Sequence, residues 1–280
     1  MTWDQWLYWA TLNLKKSISP KRDAEIILEK VINKPRAQLL GFGETVLKYD
    51  TIIKLKSLIY RRKKGEPIAY IIGSKEFWSL NFKVAPGVFI PRSDTECLVK
   101  QVLDLLHTPT NKLNVLDLGT GVGTIALALS SERPNWNITG VDFQKQALFI
   151  ACQNKIFLNL KNVKFIYGNW FKYLVRKKFN LIVSNPPYIA KHDSCLRIRD
   201  MNFEPKNALI SEQSGLADLT IICKLSTQHL HQNGWLFLEH GWNQGKYIRT
   251  LFYKFGFTHI HTIRDYHHYE RVTYGQWISH

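Results

Sequence analysis

The chain has 280 residues, of which 45% are hydrophobic and 21% are charged, as is usual for a globular protein with a real core. No apolar run of about 18 residues occurs, which excludes a membrane-spanning helix, and the first residues lack a signal-peptide pattern. The net charge of +16 indicates either a solvated basic surface or a polyanionic partner such as the ribosome or another nucleic acid. The four cysteines are scattered without a C-x-x-C pair, which is typical of a reduced, cytoplasmic protein.

Residues 1–74 are predicted to form a small helical domain that recognises the substrate. One helical stripe of apolar residues opens the chain: Trp3, Trp6, Leu7, Ala10 and Leu14. Ser19 followed by Pro20 predicts the start of a second helix, with Ser19 as its N-cap. Asp50 is a candidate cap for a third long helix, which should stop at Gly65.

Residues 75–95 are predicted to form a hairpin that links two domains. Residues 77–80 and 82–84 alternate between apolar and polar side chains, as half-buried strands do. Pro86-Gly87 is a typical turn pair. A helix is then expected from Thr95 to Leu106, with Asp94 or Thr95 as its cap.

Residues 96–280 are predicted to form the catalytic domain, because strands and helices alternate along them. The predicted strands are 114–118, 138–142, 163–167, 179–183, 235–239, 258–265 and 272–278. The predicted helices between them are 124–131, 146–159, 217–232 and 244–255. This order predicts a mostly parallel, doubly wound sheet whose last two strands form an antiparallel pair.

A glycine-rich turn follows the first of these strands. Gly119, Gly121 and Gly123 leave room for a ligand to approach the backbone. A dinucleotide fingerprint would have a glycine at Thr124, and no lysine follows the loop, so a dinucleotide or triphosphate is disfavoured. Asp142, at the end of the next strand, can accept hydrogen bonds from both hydroxyls of a ribose. The pattern predicts a site for a nucleoside without a phosphate chain.

The tetrapeptide Asn185-Pro186-Pro187-Tyr188 follows another buried strand, in the crevice where open α/β sheets bind ligands. Two prolines make the backbone rigid and remove two N–H donors. Asn185 contributes an amide, and Tyr188 contributes a flat ring with a hydroxyl. Together they are suited to hold a planar group that carries an NH2.

These two motifs carry a family resemblance. Residues 117–123 (D-L-G-T-G-V-G) resemble the first motif of class I S-adenosylmethionine-dependent methyltransferases. The tetrapeptide resembles the motif shared by adenine-N6 and glutamine-N5 methyltransferases. Further stretches resemble the release factor glutamine methyltransferase family: 65–70, 76–78, 90–92, 94–96, 203–205, 238–241, 264–266 and 270–271. The resemblance covers nearly the whole chain.

The resemblance implies a class I methyltransferase fold: a Rossmann-like, mostly parallel seven-stranded sheet with a small N-terminal helical domain. It implies S-adenosyl-L-methionine as cofactor, held by Gly119, Thr120, Gly121, Val122, Gly123, Asp142, Trp170 and Asn185. It implies a substrate glutamine held by Asn185, Pro186, Pro187 and Tyr188. Two positions depart from the family pattern: Ser93 replaces a proline, and Asn169 replaces an acid, which leaves Trp170 as the expected neighbour of the adenine.

The implied reaction is an in-line methyl transfer to the side-chain nitrogen (N5) of the glutamine in the Gly-Gly-Gln motif of class 1 peptide chain release factors. The catalytic residues are then Asn185 and Pro186, whose oxygens accept the amide N–H groups, and Tyr188, which packs on the amide plane. No general base is evident, so the proton is expected to leave to solvent. No metal is expected, because the His229/His231 and His259/His261 pairs lack a completing cysteine or carboxylate.

Other functions stay open at this point. The tetrapeptide and the positive charge also allow adenine-N6 methylation of DNA or RNA, although no long insertion that could recognise nucleic acid is evident. A ribosomal-protein glutamine methyltransferase would differ mainly in the N-terminal domain. A non-catalytic RNA-binding protein is a further alternative. The favoured interpretation is a monomer that acts on a release factor in translation termination and requires neither a membrane nor direct nucleic-acid contact.

Overall fold

A computed structural model describes residues 1–107, 112–197 and 199–278. The chain divides into two compact units. The first comprises Met1–Ser74 and the described residues of Leu196–Phe203; the second comprises the described residues of Lys75–Cys195 and Glu204–His280. In this division the residues after Ser74 that were predicted to form a linking hairpin fall in the second unit, and the segment around residue 200 falls in the first.

The first unit is helical. Its helices are α1 (Trp3–Asn13), α2 (Pro20–Ile32), α3 (Arg36–Gly41), α4 (Tyr49–Lys63) and α5 (Ile68–Ile72). The predicted stripe on α1 is confirmed, since Trp3, Trp6, Ala10 and Leu14 are buried in the core of this unit and Leu7 packs against it. Helices α3 and α5 were not predicted, because one or two turns are too short to show a helical period.

Of two predicted helix caps, one is confirmed and one is wrong. Ser19 occupies the N-cap position of α2, as predicted, with Pro20 in the first helical position, although its side chain makes no capping hydrogen bond. Instead, the neighbouring Ser17 hydroxyl donates to Asp23 at 2.5 Å. Helix α4 is preceded by Lys48, so Asp50 lies inside the first turn, where a negative charge faces the positive end of the helix dipole.

A buried arginine organises the first unit. Arg62 Nε donates to Asp23 Oδ2 at 2.7 Å, and its Nη1 donates to Asp200 Oδ1 at 2.9 Å. The Arg62 side chain is only 7% exposed. This pair of hydrogen-bonded carboxylates offsets the cost of burying the guanidinium and fastens the segment around Asp200 to α2 and α4.

The second unit begins with the predicted hairpin, formed by β1 (Ser74–Phe77) and β2 (Leu80–Lys83). The turn lies at Trp78 and Ser79, whose φ angles are +51° and +56°. These two residues were predicted to be extended, and that prediction is wrong. Two positive φ angles match the turn of a two-residue hairpin, and a tight turn lets the Phe77 and Phe82 rings pack edge to face at 6.1 Å.

A seven-stranded sheet forms the core of this unit. Its strands are β3 (Asn114–Leu118), β4 (Asn137–Asp142), β5 (Val163–Tyr167), β6 (Phe179–Ser184), β7 (Leu230–Glu239), β8 (Phe257–Arg264) and β9 (Glu270–Trp277). Their order across the sheet is β5-β4-β3-β6-β7-β9-β8, and β9 alone among them runs antiparallel to both of its neighbours. The predicted parallel sheet with a final antiparallel pair is confirmed.

Helices connect these strands. They are α6 (Glu96–Leu105), α7 (Thr124–Glu132), α8 (Lys145–Phe157), the short α9 (Glu212–Gly215), α10 (Ala217–His229) and α11 (Gly245–Lys254). A 3-10 turn, Ser93–Thr95, precedes α6, and Thr95 occupies the N-cap position of that helix, as predicted, although its side chain makes no capping hydrogen bond. No helix in the described part of the chain combines the length and apolar character needed to cross a bilayer.

The strand order reverses between β3 and β6, which are neighbours in the sheet although β4 and β5 separate them in sequence. Such a switch point leaves a crevice outside the carboxyl ends of the strands, because the connecting helices leave to opposite faces. The glycine loop after β3 and the tetrapeptide after β6 therefore meet at one place.

Candidate active site

An open cleft of about 800 Å³ lies at this switch point. Its lining includes most of the predicted cofactor and substrate residues: Gly119, Thr120, Gly121, Val122, Asp142, Trp170, Asn185 and Pro187. Gly123, Pro186 and Tyr188, which were also predicted, are not among its lining residues. Sequence positions more than 60 residues apart are thus brought to one surface.

The glycine loop needs glycine for its shape. Gly119, Gly121 and Gly123 have φ angles of +71°, +57° and +87°, which side-chain-bearing residues rarely adopt. A Cβ atom on Gly119 would be 3.4 Å from the Trp170 ring and 3.9 Å from the Asn185 carbonyl oxygen, inside the cleft. A Cβ atom on Gly123 would be 2.8 Å from Leu127 instead, so this glycine serves the packing of α7.

Asp142 forms the floor beside the loop. Its Oδ2 accepts a hydrogen bond from Gly121 N and its Oδ1 accepts one from Gln144 N, both at 2.8 Å. Burial raises the pKa of Asp142, and hydrogen bonds from the backbone N–H groups of Gln144, Gly121 and Phe143 oppose the rise. The carboxylate lines the cleft and can accept a hydrogen bond from a hydroxyl there, which suits a ribose.

Asp117 holds the loop from behind. Its Oδ2 accepts hydrogen bonds from the Thr120 hydroxyl at 2.6 Å and from Ala126 N at 3.1 Å. Its Oδ1 is buried and accepts no hydrogen bond from the described residues. Burial raises the pKa of Asp117 to about 7, so the carboxyl holds its proton far more tightly than an exposed one. The carboxyl ties the end of β3 to the start of α7.

Trp170 closes one side of the cleft. It has a φ angle of +47°, and its indole N–H donates to Asp218 Oδ1 at 3.1 Å. Asp218 in turn accepts a hydrogen bond from the Ser211 hydroxyl at 2.6 Å. These contacts fix the ring beside Gly119, whereas the neighbouring Asn169 is exposed and does not line the cleft.

The tetrapeptide closes the other side. The Ser184 hydroxyl donates to Leu118 O at 2.7 Å and joins the ends of β6 and β3. Asn185 Nδ2 donates to the Thr95 hydroxyl at 3.0 Å. The Tyr188 hydroxyl donates to Glu239 Oε1 at 3.2 Å, and Pro186 between them is buried. Both polar side chains of the motif are therefore held by hydrogen bonds to buried residues of other elements.

Thr95 and Glu239 had no predicted role in the site. Thr95 was considered only as a helix cap, and Glu239 only as a member of a motif. Burial raises the pKa of Glu239 to about 7, while the Thr95 side chain, the charge of Arg271 and the Tyr188 hydroxyl oppose the rise. A glutamate that ends a buried strand beside a ligand crevice is the sequence signal that could have identified it.

The Glu204 carboxylate orders another wall of the cleft. Glu204 is buried, forms an ion pair with Arg92, and accepts a hydrogen bond from Ile90 N at 3.1 Å. Arg92 lines the cleft and its guanidinium lies 5.0 Å from the centre of the Phe89 ring. Glu204 therefore positions the segment that carries both Phe89 and Arg92.

Known families match both parts of the chain. Residues 5–73 match the PrmC N-terminal domain, and residues 79–215 match the methyltransferase small domain. The release factor glutamine methyltransferase of Salmonella typhimurium is 46% identical over 277 residues, which is 99% of both chains. The enzyme of the same name from Escherichia coli is 46% identical over 279 residues, which covers 100% of both chains.

A solved structure supports the fold. The methyltransferase from Pyrococcus furiosus superposes with a TM-score of 0.54 at 16% identity, covering 80% of this chain and 98% of that one. The fold is that of a class I S-adenosylmethionine methyltransferase, as predicted.

Proposed function

This chain belongs to the release factor glutamine methyltransferase family, and from that premise we propose that it methylates the side-chain nitrogen (N5) of a glutamine in peptide chain release factors. The substrate is the glutamine of a Gly-Gly-Gln motif in class 1 release factors, and the methyl donor is S-adenosyl-L-methionine. The observation that carries this proposal is the pairing of a nucleoside-shaped cleft with an immobilised amide, Asn185, on its wall.

The cleft residues fit the donor. Space beside Gly119 that a side chain would fill admits a flat group against Trp170, and the Asp142 carboxylate can accept a hydrogen bond from a ribose hydroxyl. Bound S-adenosyl-L-methionine supplies a methyl group that is activated by a positively charged sulfur. The neutral glycine loop suits this ligand because it offers no cation to a phosphate.

The tetrapeptide positions the nucleophile. A carboxamide nitrogen is a weak nucleophile, because its lone pair is delocalised into the carbonyl. The Asn185 side-chain oxygen and the Pro186 carbonyl each accept one N–H and aim the nitrogen at the methyl group. Positioning of this kind supplies roughly 7–11 kcal/mol in favourable cases. The Tyr188 ring packs on the amide plane, and the proton leaves to solvent after transfer.

The test is methyl transfer from labelled donor to three substrates in parallel: a purified class 1 release factor, duplex DNA and RNA. We expect label in the release factor alone, and mass spectrometry of its peptides should place it on the glutamine of the Gly-Gly-Gln motif. Label on adenine would replace this proposal with the adenine-N6 alternative. Absence of label from all three would leave a binding protein with a methyltransferase fold.

A further inference from the structure

The two polar side chains of the tetrapeptide end at one buried pair of residues. Asn185 donates to Thr95 Oγ1 at 3.0 Å, and Tyr188 donates to Glu239 Oε1 at 3.2 Å. Thr95 is 2% exposed and Glu239 is 1% exposed. Glu239 Oε2 is buried as well and accepts no hydrogen bond from the described residues.

A third hydrogen bond joins the Thr95 and Glu239 side chains, and it lowers the pKa of Glu239. A hydroxyl that stabilises the ionised carboxylate is the donor, and it has only one proton to donate. The Thr95 proton therefore faces Glu239, and its lone pairs face Asn185. Since only the NH2 end of the amide can donate to those lone pairs, the oxygen end is left for the cleft.

We propose that Glu239 is a positioning residue for glutamine methylation: through Thr95 it holds the Asn185 amide with Oδ1 toward the substrate, and it fixes the Tyr188 ring beside it. The substrate amide brings two N–H donors, so an acceptor must face it. This inference rests on the proposed function for its kinetic consequence, while the orientation of the Asn185 amide can be measured without any substrate.

The hydrogen bonds that run from Asn185 through Thr95 to Glu239 form a relay, and protonation of Glu239 would reverse the direction in which each of them donates. A protonated carboxyl can donate to Thr95, whose hydroxyl then donates to Asn185 Oδ1, and the amide presents NH2 to an incoming NH2. Because burial raises the pKa of Glu239 to about 7, the productive orientation exists above that pH and is lost as the pH falls through it. Methyl transfer should therefore rise with pH through an apparent pKa near 7.

The charged and titratable groups near Glu239 are Asp94, Cys97, Tyr188, His240, Asp265 and Arg271. Asp94 raises the pKa of Glu239, and Arg271 lowers it. Arg271 is itself paired with Asp265 at 2.9 Å. Burial raises the pKa of Cys97 to about 12 and lowers that of His240 to about 4, so both stay neutral while Glu239 titrates.

The test combines a spectroscopic and a kinetic pH profile on the full chain. In ¹⁵N NMR spectra, the side-chain amide signals of Asn185, identified by their loss in Asn185→Ala, should titrate near pH 7 in the wild type and not in Glu239→Gln. Single-turnover methylation of release factor should lose its acid limb in Glu239→Gln and slow by up to about a hundredfold, the cost of misplacing a reacting group by about an ångström. Thr95→Val should behave in the same way, since it removes the hydroxyl and keeps the shape.

Glu212→Gln, an exposed glutamate in the same unit, is the matched control and should keep both profiles. Thermal unfolding and donor binding check that each variant is folded. Asn185 signals that ignore pH in the wild type, or that titrate equally in Glu239→Gln, would overturn the relay. A wild type that never methylates glutamine would defeat the proposed function, and the NMR titration would still decide the relay.

Discussion

Gly215 packs directly against the backbone of Tyr188. A Cβ atom on Gly215 would be 2.2 Å from the Tyr188 carbonyl oxygen, and the φ angle of Gly215 is +88°. The same carbonyl oxygen accepts a hydrogen bond from Gln244 Nε2 at 3.0 Å. The end of the tetrapeptide is therefore held between a glycine and a glutamine amide, and it has this position only because residue 215 has no side chain.

Gly215→Ala should lower both stability and methylation. The positive φ angle alone costs an alanine roughly 1–2 kcal/mol, and the contact with the Tyr188 backbone adds to this. Gly256→Ala is the matched control, because its φ angle is +81° but nothing lies within 4 Å of the added Cβ atom. Urea unfolding and methyl transfer should separate the two variants. Equal losses in both would show that backbone strain, and not the contact with Tyr188, decides the outcome.

Asn185→Ala should abolish methyl transfer while leaving the fold intact. Within the described ranges the side chain makes one hydrogen bond, to Thr95, and it is only half-buried, so its removal leaves the core unchanged. The loss should fall mainly on the rate of transfer, about 100-fold or more, because the acceptor that orients the nucleophile is gone. Single-turnover kinetics, with calorimetric titration of the donor, measure both. Full-speed transfer by this variant would refute the assignment of the amide pocket.

Asp117 should make stability fall as the pH rises. Its pKa is about 7 in the folded chain against an ordinary 3.8, so between these values the folded state keeps a proton that the unfolded state has lost. The contribution is fully present below about pH 4 and is lost as the pH rises through about 7. Denaturant titrations across this range should show a shallower fall in Asp117→Asn, because Glu239, whose pKa is also raised to about 7, keeps its own contribution. Asp104→Asn, at an exposed position, should retain the full fall.

Arg62→Met should strongly destabilise the first unit. Removing the guanidinium leaves buried Asp23 without its cation, and breaking a buried pair in this way costs about 3–5 kcal/mol. The adjacent Arg61 provides the control, since its pair with Glu66 is only partly buried and its removal leaves no fully buried carboxylate without a cation. Chemical denaturation followed by tryptophan fluorescence can measure both. If Arg62→Met were as mild as Arg61→Met, the ion cluster would not hold this unit together.

Local patterns in the sequence predicted the elements that surround the cleft. The strands β3 and β5 were predicted with the bounds observed, because short apolar runs flanked by polar or glycine residues have few alternatives. The predicted start of β7 was wrong. This strand begins at Leu230 and not at residue 235, and its first residues lack an apolar pattern because they are polar apart from Leu230. The predicted cap at Asp50 failed because Lys48 takes the N-cap position of α4. Ser19 and Thr95 take the predicted N-cap positions but make no side-chain capping hydrogen bond, and the Thr95 hydroxyl accepts one from Asn185 instead.

By itself, the sequence determined the order of strands and helices, the glycine loop and the rigid tetrapeptide, because these depend on side-chain periodicity and on the backbone freedom of glycine and proline. Only the tertiary structure decided which residues hydrogen-bond to the side chains of the tetrapeptide. Thr95 is 90 positions from Asn185, and Glu239 is 51 positions from Tyr188. Tyr188 and Glu239 meet because β6 and β7 lie side by side with their carboxyl ends together, and strand order is a property of the packed sheet that no local pattern encodes.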